Sequence, residues 1–472
     1  MQKLISKYAL AAHLALLAVS PLFLFSLCPS ETVSRVMMWL SLYAVVWFFL
    51  EPSRMKDEML HDSRRRVAKA LVRDPLFWAF AVLAVVCFCR WMNDGIQMAY
   101  DAENQFWYVK KAAMAYFPGS ITGHGEIEFS ALLAVWIIVM GIRHALGRAA
   151  RLGFLFMSSL FAGVAVAVSG IAAVFGNSEA IAAMNTPYGS RGFAGLAFGL
   201  YFLGGVTGLA GALEHKWKKI TMFFILGLGG SAAGAFLFAP PAMVALYAIA
   251  AAVFLLFNIL WLAFRGRTSS SMKLLAVVIM SLGVAVLIVM AFSPEGLDAE
   301  RVSAVLEGRF FPDTFSAIAA SLAEISKKAW LLNPWLGSGI DSFPLDIRFN
   351  ATDDDWALLP IGITSAYSGW WTFIAERGIV GALMMATPLG FMVWTFLHRL
   401  PGVLRHSFFM PGVALGFAAF AAAIAETFAD ASFLRPEALI ALAAFMAVAA
   451  ASLPPLKDGK KSGNQKDNEQ DD

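Results

Sequence analysis

The polar residues that could do chemistry gather in one stretch, Leu332 to Gly381, LNPWLGSGIDSFPLDIRFNATDDDWALLPIGITSAYSGWWTFIAERGIVG. It opens on an Asn-Pro break and a Gly337-Ser338-Gly339 turn that leads to Asp341. Further acids follow at Asp346 and at Asp353 to Asp355. The stretch closes on Ala375-Glu376-Arg377-Gly378, directly before a new apolar run. A carboxylate can take a proton from a hydroxyl when burial raises its pKa. An arginine stays charged and offers a planar fork of donors that matches phosphate oxygens. Arg348 and Arg377 lie in the stretch, and Arg191, Arg309 and Arg435 lie elsewhere on the same predicted side. Arginines gathered at a membrane mouth suit a lipid-linked phosphate or pyrophosphate, although a single such arginine more often snorkels or pairs with an acid.

The acids differ in promise. Asp353 to Asp355 read as a solvated run, and Asp341 serves a turn cap as readily as a base. Glu376 beside Arg377 reads first as an ion pair or a helix-terminal charge, and only then as a base. Tyr367, Trp370 and Trp371 would stack on sugar rings or sit in an interfacial aromatic belt. Among histidines outside the apolar runs, only His124 falls on this side, remote in sequence. His61, His144, His215, His398 and His406 fall on the other. The Gly-x-Gly follows no strand and precedes no Lys-Ser/Thr, so it is not a nucleotide loop. No residues have metal-ligand spacing or form a Ser-His-Asp arrangement, and no metal or cofactor is expected.

These residues must be held by membrane helices. The chain has 472 residues, of which 59% are hydrophobic and only 15% charged. A soluble domain carries about a quarter charged residues. The mean hydropathy is +0.68. Apolar runs fall near 8–28, 35–51, 75–90, 127–142, 153–174, 193–213, 220–238, 241–263, 274–292, 378–397, 409–430 and 436–453. This pattern predicts an all-α integral membrane protein of about 12 transmembrane helices. One large loop, 293–377, would lie between the ninth and tenth. Within it, Phe315, Ile318, Ala319, Leu322, Ile325 and Ala329 fall on one helical face, which predicts an amphipathic helix on the outer surface of the bundle or membrane. The loop is the only one predicted long enough to fold. No charge is expected at the centre of several spans.

Basic residues concentrate in alternate loops. They are Arg54 to Arg73, Arg143 to Arg151, Lys216 to Lys219, Arg265 to Lys273, and Arg399 with Arg405. Positive charge favours the cytoplasmic side of short loops, so both termini are expected there and the 293–377 loop on the outer side, which in a bacterial reading is the periplasm. Lys3 and Lys7 precede a first span with no cleavage site, which predicts an uncleaved anchor. Residues 1–456 read as one membrane domain, and the polar 457–472 tail as disordered. The net charge of +3 argues for no nucleic-acid partner. Neither Cys28, Cys87 nor Cys89 suggests a disulfide framework.

Leu332 to Phe343 resembles the Asn-Pro, Gly-x-Gly, Phe segment of the O-antigen ligase and polysaccharide polymerase superfamily, integral-membrane glycosyltransferases. Phe373-Ile374-Ala375-Glu376-Arg377-Gly378-Ile379-Val380-Gly381 is similar to its Ala-Glu-x-Gly-x-x-Gly helix entry. Tyr188 to Gly195, with Arg191, and Gly308-Arg309 resemble its two arginine sites. The resemblance implies metal-independent transfer of glycan from an undecaprenyl-pyrophosphate donor to a glycan or lipid acceptor, in the bacterial inner membrane. Other polysaccharide-assembly proteins would be partners. Arg191 and Arg309 would hold the pyrophosphate, Arg348 and Arg377 would assist, and Trp370 and Trp371 would contact glycan. Where the family carries a His, this chain has Tyr367, and a phenol of pKa near 10 is a poor base at neutral pH. Either Asp341, Glu376 or His124 serves as base, or Tyr367 orients the acceptor, or catalysis is lost. Two other classes fit the chain: a transporter or flippase of lipid-linked glycan, and a non-catalytic assembly subunit.

Overall fold

In a computed structural model, the described residues are 2–24, 30–50, 60–101, 103, 106–111, 119–121, 124–175, 191–214, 221–238, 241–264, 266, 268–292, 315–339, 342–359, 363, 366, 368–403 and 436–452. The chain is mostly helical. Its long helices are α1 (Gln2–Leu24), α2 (Ser30–Leu50), α4 (Pro75–Met92), α5 (His124–Met140), α6 (Arg148–Phe175), α7 (Arg191–Glu214), α8 (Thr221–Phe238), α9 (Pro241–Phe264) and α10 (Thr268–Phe292). α3 (Leu60–Arg73) is short and basic. The helices α11 (Phe315–Leu332), α12 (Phe343–Asn350) and α13 (Asp353–Leu358) precede α14 (Gly369–Val403) and α15 (Pro436–Ser452).

Every predicted span except 409–430 coincides with one of these helices; that one lies outside the described residues. Among the described residues, six helices are long and apolar enough to cross a membrane, and five apolar stretches are shorter. The chain is a multi-pass membrane protein. On α9, Ile249, Val253, Leu256, Leu260 and Phe264 are all exposed at helical spacing. A stripe of this kind suits lipid and would be costly against water.

The interior closes around the fully buried Leu14, Leu17, Phe154, Phe198, Tyr201 and Phe445. α6 packs against α1, α7 and α8. The α6–α8 approach is close because Gly163 lies against Gly227 and Gly230, where a side chain would separate the backbones. The buried Tyr201 hydroxyl donates to the Ala18 carbonyl at 2.7 Å. Arg151 donates to the Ala451 carbonyl at 2.5 Å and the Ile142 carbonyl at 3.2 Å. It thereby ties the last turn of α15 to the π-helical turn Gly141–Ala145 that follows α5.

One departure from an all-α fold lies between α4 and α5. Strands β1 (Asp94–Asp101), β2 (Phe106–Lys111) and β3 (Ser120–Ile121) form a three-stranded sheet in the order β2-β1-β3. β1 runs antiparallel to β2, pairing Tyr100 with Trp107 and Met98 with Val109, and parallel to β3. So 293–377 is not the only loop that folds. The signal was the run Phe106-Trp107-Tyr108-Val109, rich in residues that favour strands.

The described residues of the 293–377 segment build a small core of their own. α11 buries Ile318, Leu322, Ile325 and Ala329 against Phe343, Ile347, Leu359 and Ala375. Its apolar face is therefore turned to protein, the first of the two predicted surfaces, bundle or membrane. Glu324 and Lys327 stay on the exposed side and pair at 3.9 Å. Asp355 is more than a solvated charge. It completes a capping box with Thr352 and accepts a 2.5 Å hydrogen bond from Ser321, which fastens α13 to α11.

Candidate functional site

Two segments of the sequence motif lock together. The amide of Ser338 donates to the Ala375 carbonyl at 3.0 Å, and that of Gly339 to the Glu376 carbonyl at 2.9 Å. The amides of Ile379 and Val380 donate back to the carbonyls of Pro334 and Trp335, each at 3.0 Å. Between these pairs α14 breaks at Gly378, with φ 62° and ψ −172°. A helix break leaves carbonyls on one side and amides on the other without partners. Here the 334–339 turn satisfies both sets. Gly337, with φ 75°, and Gly378 both need the left-handed region that L side chains avoid. A Cβ on Gly337 would overlap the Glu376 carbonyl, and one on Gly378 would overlap that of Trp335. The seam admits glycine alone at both places.

Under the seam sits a buried group of charges. The Arg377 guanidinium, 5% exposed, donates through Nη1 to Glu376 Oε2 at 3.0 Å. Its Nε donates to Glu128 Oε1 at 3.0 Å, and its Nη2 lies 2.9 Å from the same oxygen. The guanidinium also stacks 4.9 Å from the Phe373 ring centroid. Glu376 Oε1 accepts weakly from the Phe343 amide at 3.4 Å. Arg90, from the end of α4, is 4% exposed and packs close to Gly381. Two guanidinium groups thus face two carboxylates. The set is incompletely satisfied: Glu128 Oε2 and Arg90 Nε are buried with no hydrogen-bond partner among the described residues. Such orphan atoms are uncommon, and they are costly in a low-dielectric setting.

Above the seam lies a serine–carboxylate group. The Ser338 hydroxyl is 2.7 Å from Asp346 Oδ2, 2.6 Å from the Ser342 hydroxyl and 3.1 Å from the Ala375 carbonyl. The Ser342 hydroxyl lies 2.8 Å from the Gly339 carbonyl and 3.4 Å from Asp346 Oδ2. Each hydroxyl has one proton, so an ionised Asp346 draws the Ser338 proton toward itself. Burial pushes the Asp346 carboxyl up to about 6, against the opposing pull of the Ser338 and Ser342 hydroxyls. A carboxyl titrating there holds and releases a proton near neutral pH.

The structure brings Glu376, Arg377 and the Gly337–Gly339 turn into one unit, and Trp371 packs at the edge of the adjoining core. Glu376 pairs with Arg377, which also holds Glu128. Trp370 and Arg348 are exposed. Arg191 opens α7, and its side chain is outside the described residues, as is that of His124 at the start of α5. Arg309, Asp341, Tyr367 and Arg435 lie outside the described residues altogether. Sequence reasoning passed over Arg90 and Glu128, although a charge at each end of an apolar run is a recognisable mark. Asp346 was visible as an acid, but its burial was not.

At the opposite end of the same two helices, Asp74 caps α4 and accepts from the Leu76 amide at 3.0 Å. Its Oδ2 also takes Arg143 Nε at 2.9 Å and His144 Nε2 at 2.6 Å. No protein-family model matches the chain, and no curated protein is found to be similar to it.

Proposed function

We propose that the chain is a membrane glycosyltransferase of the O-antigen ligase or polymerase type. It would act on a polyprenyl-pyrophosphate-linked glycan at the face that carries the 293–377 segment. The observation that carries this reading is the seam. Two of the motif segments on which the resemblance rests, 332–343 and 373–381, are joined by backbone hydrogen bonds with a buried acid beside them. Arg191 and Arg309 hold the pyrophosphate and stabilise the charge that grows on it as the bond from sugar C1 to phosphate oxygen breaks. The acceptor hydroxyl attacks C1 and gives up its proton. Asp346 joins Asp341 as a candidate to take it, with Tyr367 orienting the acceptor, and among the described residues Asp346 is the acid whose environment favours a proton near neutral pH. Glu376 and Arg377 position the seam. The basic-loop pattern puts this face opposite the cytoplasm, which is the periplasm in the bacterial inner membrane that the resemblance implies.

The test is polysaccharide profiling in a deletion strain complemented with wild type, Arg191→Ala, Arg309→Ala or Asp346→Asn, with membrane expression matched. Loss of long-chain glycan with short lipid-linked repeats accumulating identifies a polymerase. Polymer left on the lipid carrier identifies a ligase. Normal profiles in all three variants overturn the reading.

One observation favours a second reading, a transporter of lipid-linked glycan. α14 is discontinuous, and buried ionisable residues lie beside the break. Transporters often build their sites this way. Transfer of labelled lipid-linked glycan across proteoliposomes, with no change in chain length, would select it.

A further inference from the structure

A cleft of about 350 Å³ opens between α2, α3, α4 and α5 at the Asp74 end of the bundle. Phe48, Ala68, Leu71, Val72, Trp136 and Met140 are among its walls, and no charged or hydroxyl-bearing side chain among the described residues lines it. Its volume is in the range of ligand sites. Its position between the ends of three candidate spans puts it within one leaflet. α3 lies across it, tied at one end by the Arg64 bond to the Leu50 carbonyl and at the other by the Trp78 bond to the Val72 carbonyl.

α3 is amphipathic in a particular way. Val67 and Leu71 face the protein and are buried. Arg65, Lys69 and Arg73 are exposed and make no ion pair or hydrogen bond among the described residues. Their four-residue spacing sets them in a row, with about 6 Å of helix rise between neighbours. At about 100° per residue, Ala68 and Val72 lie on the flank directly beside that row. The wall of the apolar cleft and the line of free cations are therefore adjacent strips of one helix.

We infer that this is a binding site for an anionic glycerophospholipid of the leaflet at the Asp74 end. One acyl chain occupies the cleft and the headgroup phosphate lies on the Arg65–Lys69–Arg73 row. The charge selects the occupant: a zwitterionic lipid fills the cleft equally well but brings its own cation to the row. The inference stands apart from the proposed glycan chemistry.

The test uses the full chain, purified in detergent and depleted of lipid, titrated with dioleoyl phosphatidylglycerol or dioleoyl phosphatidylcholine and read by native mass spectrometry. Phosphatidylglycerol binds at least tenfold more tightly in wild type, and the advantage shrinks with salt. Replacing Arg65, Lys69 and Arg73 by Gln removes it, at about fivefold per charge. Ala68→Trp fills the cleft and lowers retention of both lipids. Val72→Trp, at the exposed rim, does the same should Ala68→Trp fail to fold. Equal affinity for the two lipids, or a Gln variant that keeps the preference, overturns the charge row. Filled-cleft variants that are folded and bind phosphatidylglycerol as wild type does overturn the acyl site.

Discussion

The two ends of the α4–α5 pair carry the same ingredients and finish them differently. At one end the acid is on α4 and the bases follow α5: Asp74 against Arg143 and His144. At the other the base is on α4 and the acid on α5: Arg90, with Glu128 held by Arg377. All these charges complement the helix dipoles, acids at amino ends and bases at carboxyl ends. The Asp74 end is a closed clasp, since every contact converges on one carboxylate that also caps its helix. The Arg90 end is open, since one guanidinium nitrogen and one carboxylate oxygen are left unbonded. A clasp serves stability alone. An open set leaves donors and acceptors for something else, and it sits directly beneath the glycine seam.

The largest expected effect is at the closed end. Asp74→Ala strands two partners and removes a cap, for a cost of about 4 kcal/mol, read as a drop in the thermal transition of the detergent-purified protein. Glycan chemistry per folded molecule should be unchanged. Arg377→Met at the open end removes the one cation that hydrogen-bonds both Glu128 and Glu376 and leaves Arg90 alone to face them, for about 3 kcal/mol. A cost as small as a surface pair's would sink the claim that this arginine is the centre of the group.

Asp346 gives a pH signature next to the open end. Its folded pKa is raised, so its contribution to stability is full below the free carboxyl value near 4 and is lost as pH rises through about 6. The span is on the order of 2 kcal/mol. Asp346→Asn should flatten the stability profile between pH 4 and 6 and leave the protein more stable than wild type at pH 7. An unchanged profile would remove Asp346 as a proton acceptor. The smallest effect separates the two ends most sharply. Arg90→Met should change stability by less than about 1 kcal/mol, because the buried Arg90 Nε has no hydrogen-bond partner among the described residues, whereas Asp74→Ala is severe. If Arg90→Met is as damaging as Asp74→Ala, both ends are clasps.

The helices were legible in the sequence because apolar runs of membrane length have few readings, and the described helices fall where those runs do. The seam was half legible. Asn333-Pro334 and Gly337-Ser338-Gly339 mark a turn, and Glu376-Arg377-Gly378 marks a helix entry, but nothing local says that one closes the other. That pairing depends on two positive-φ glycines meeting in space. The charged group was illegible for the same reason: Arg90, Glu128 and Arg377 come from three helices, and each alone reads as an interfacial charge. The sheet was missed because long apolar runs drew attention away from a short aromatic one. The apolar face of α11 was read correctly, but its partner, the core around Phe343 and Leu359, is a long-range fact.

The break at Gly378 also sets a ruler. The portion of α14 after it, 379–403, spans about 37 Å at 1.5 Å per residue, longer than a hydrocarbon layer of about 30 Å. Because the seam anchors its upper end to the 334–339 turn, this helix cannot slide to match the bilayer. A thinner or thicker membrane must be met by tilting about Gly378 or by adjustment at the far end. The fixed point of that pivot is the place where the outer segment is stitched on, so bilayer thickness and the posture of the outer segment are mechanically one variable.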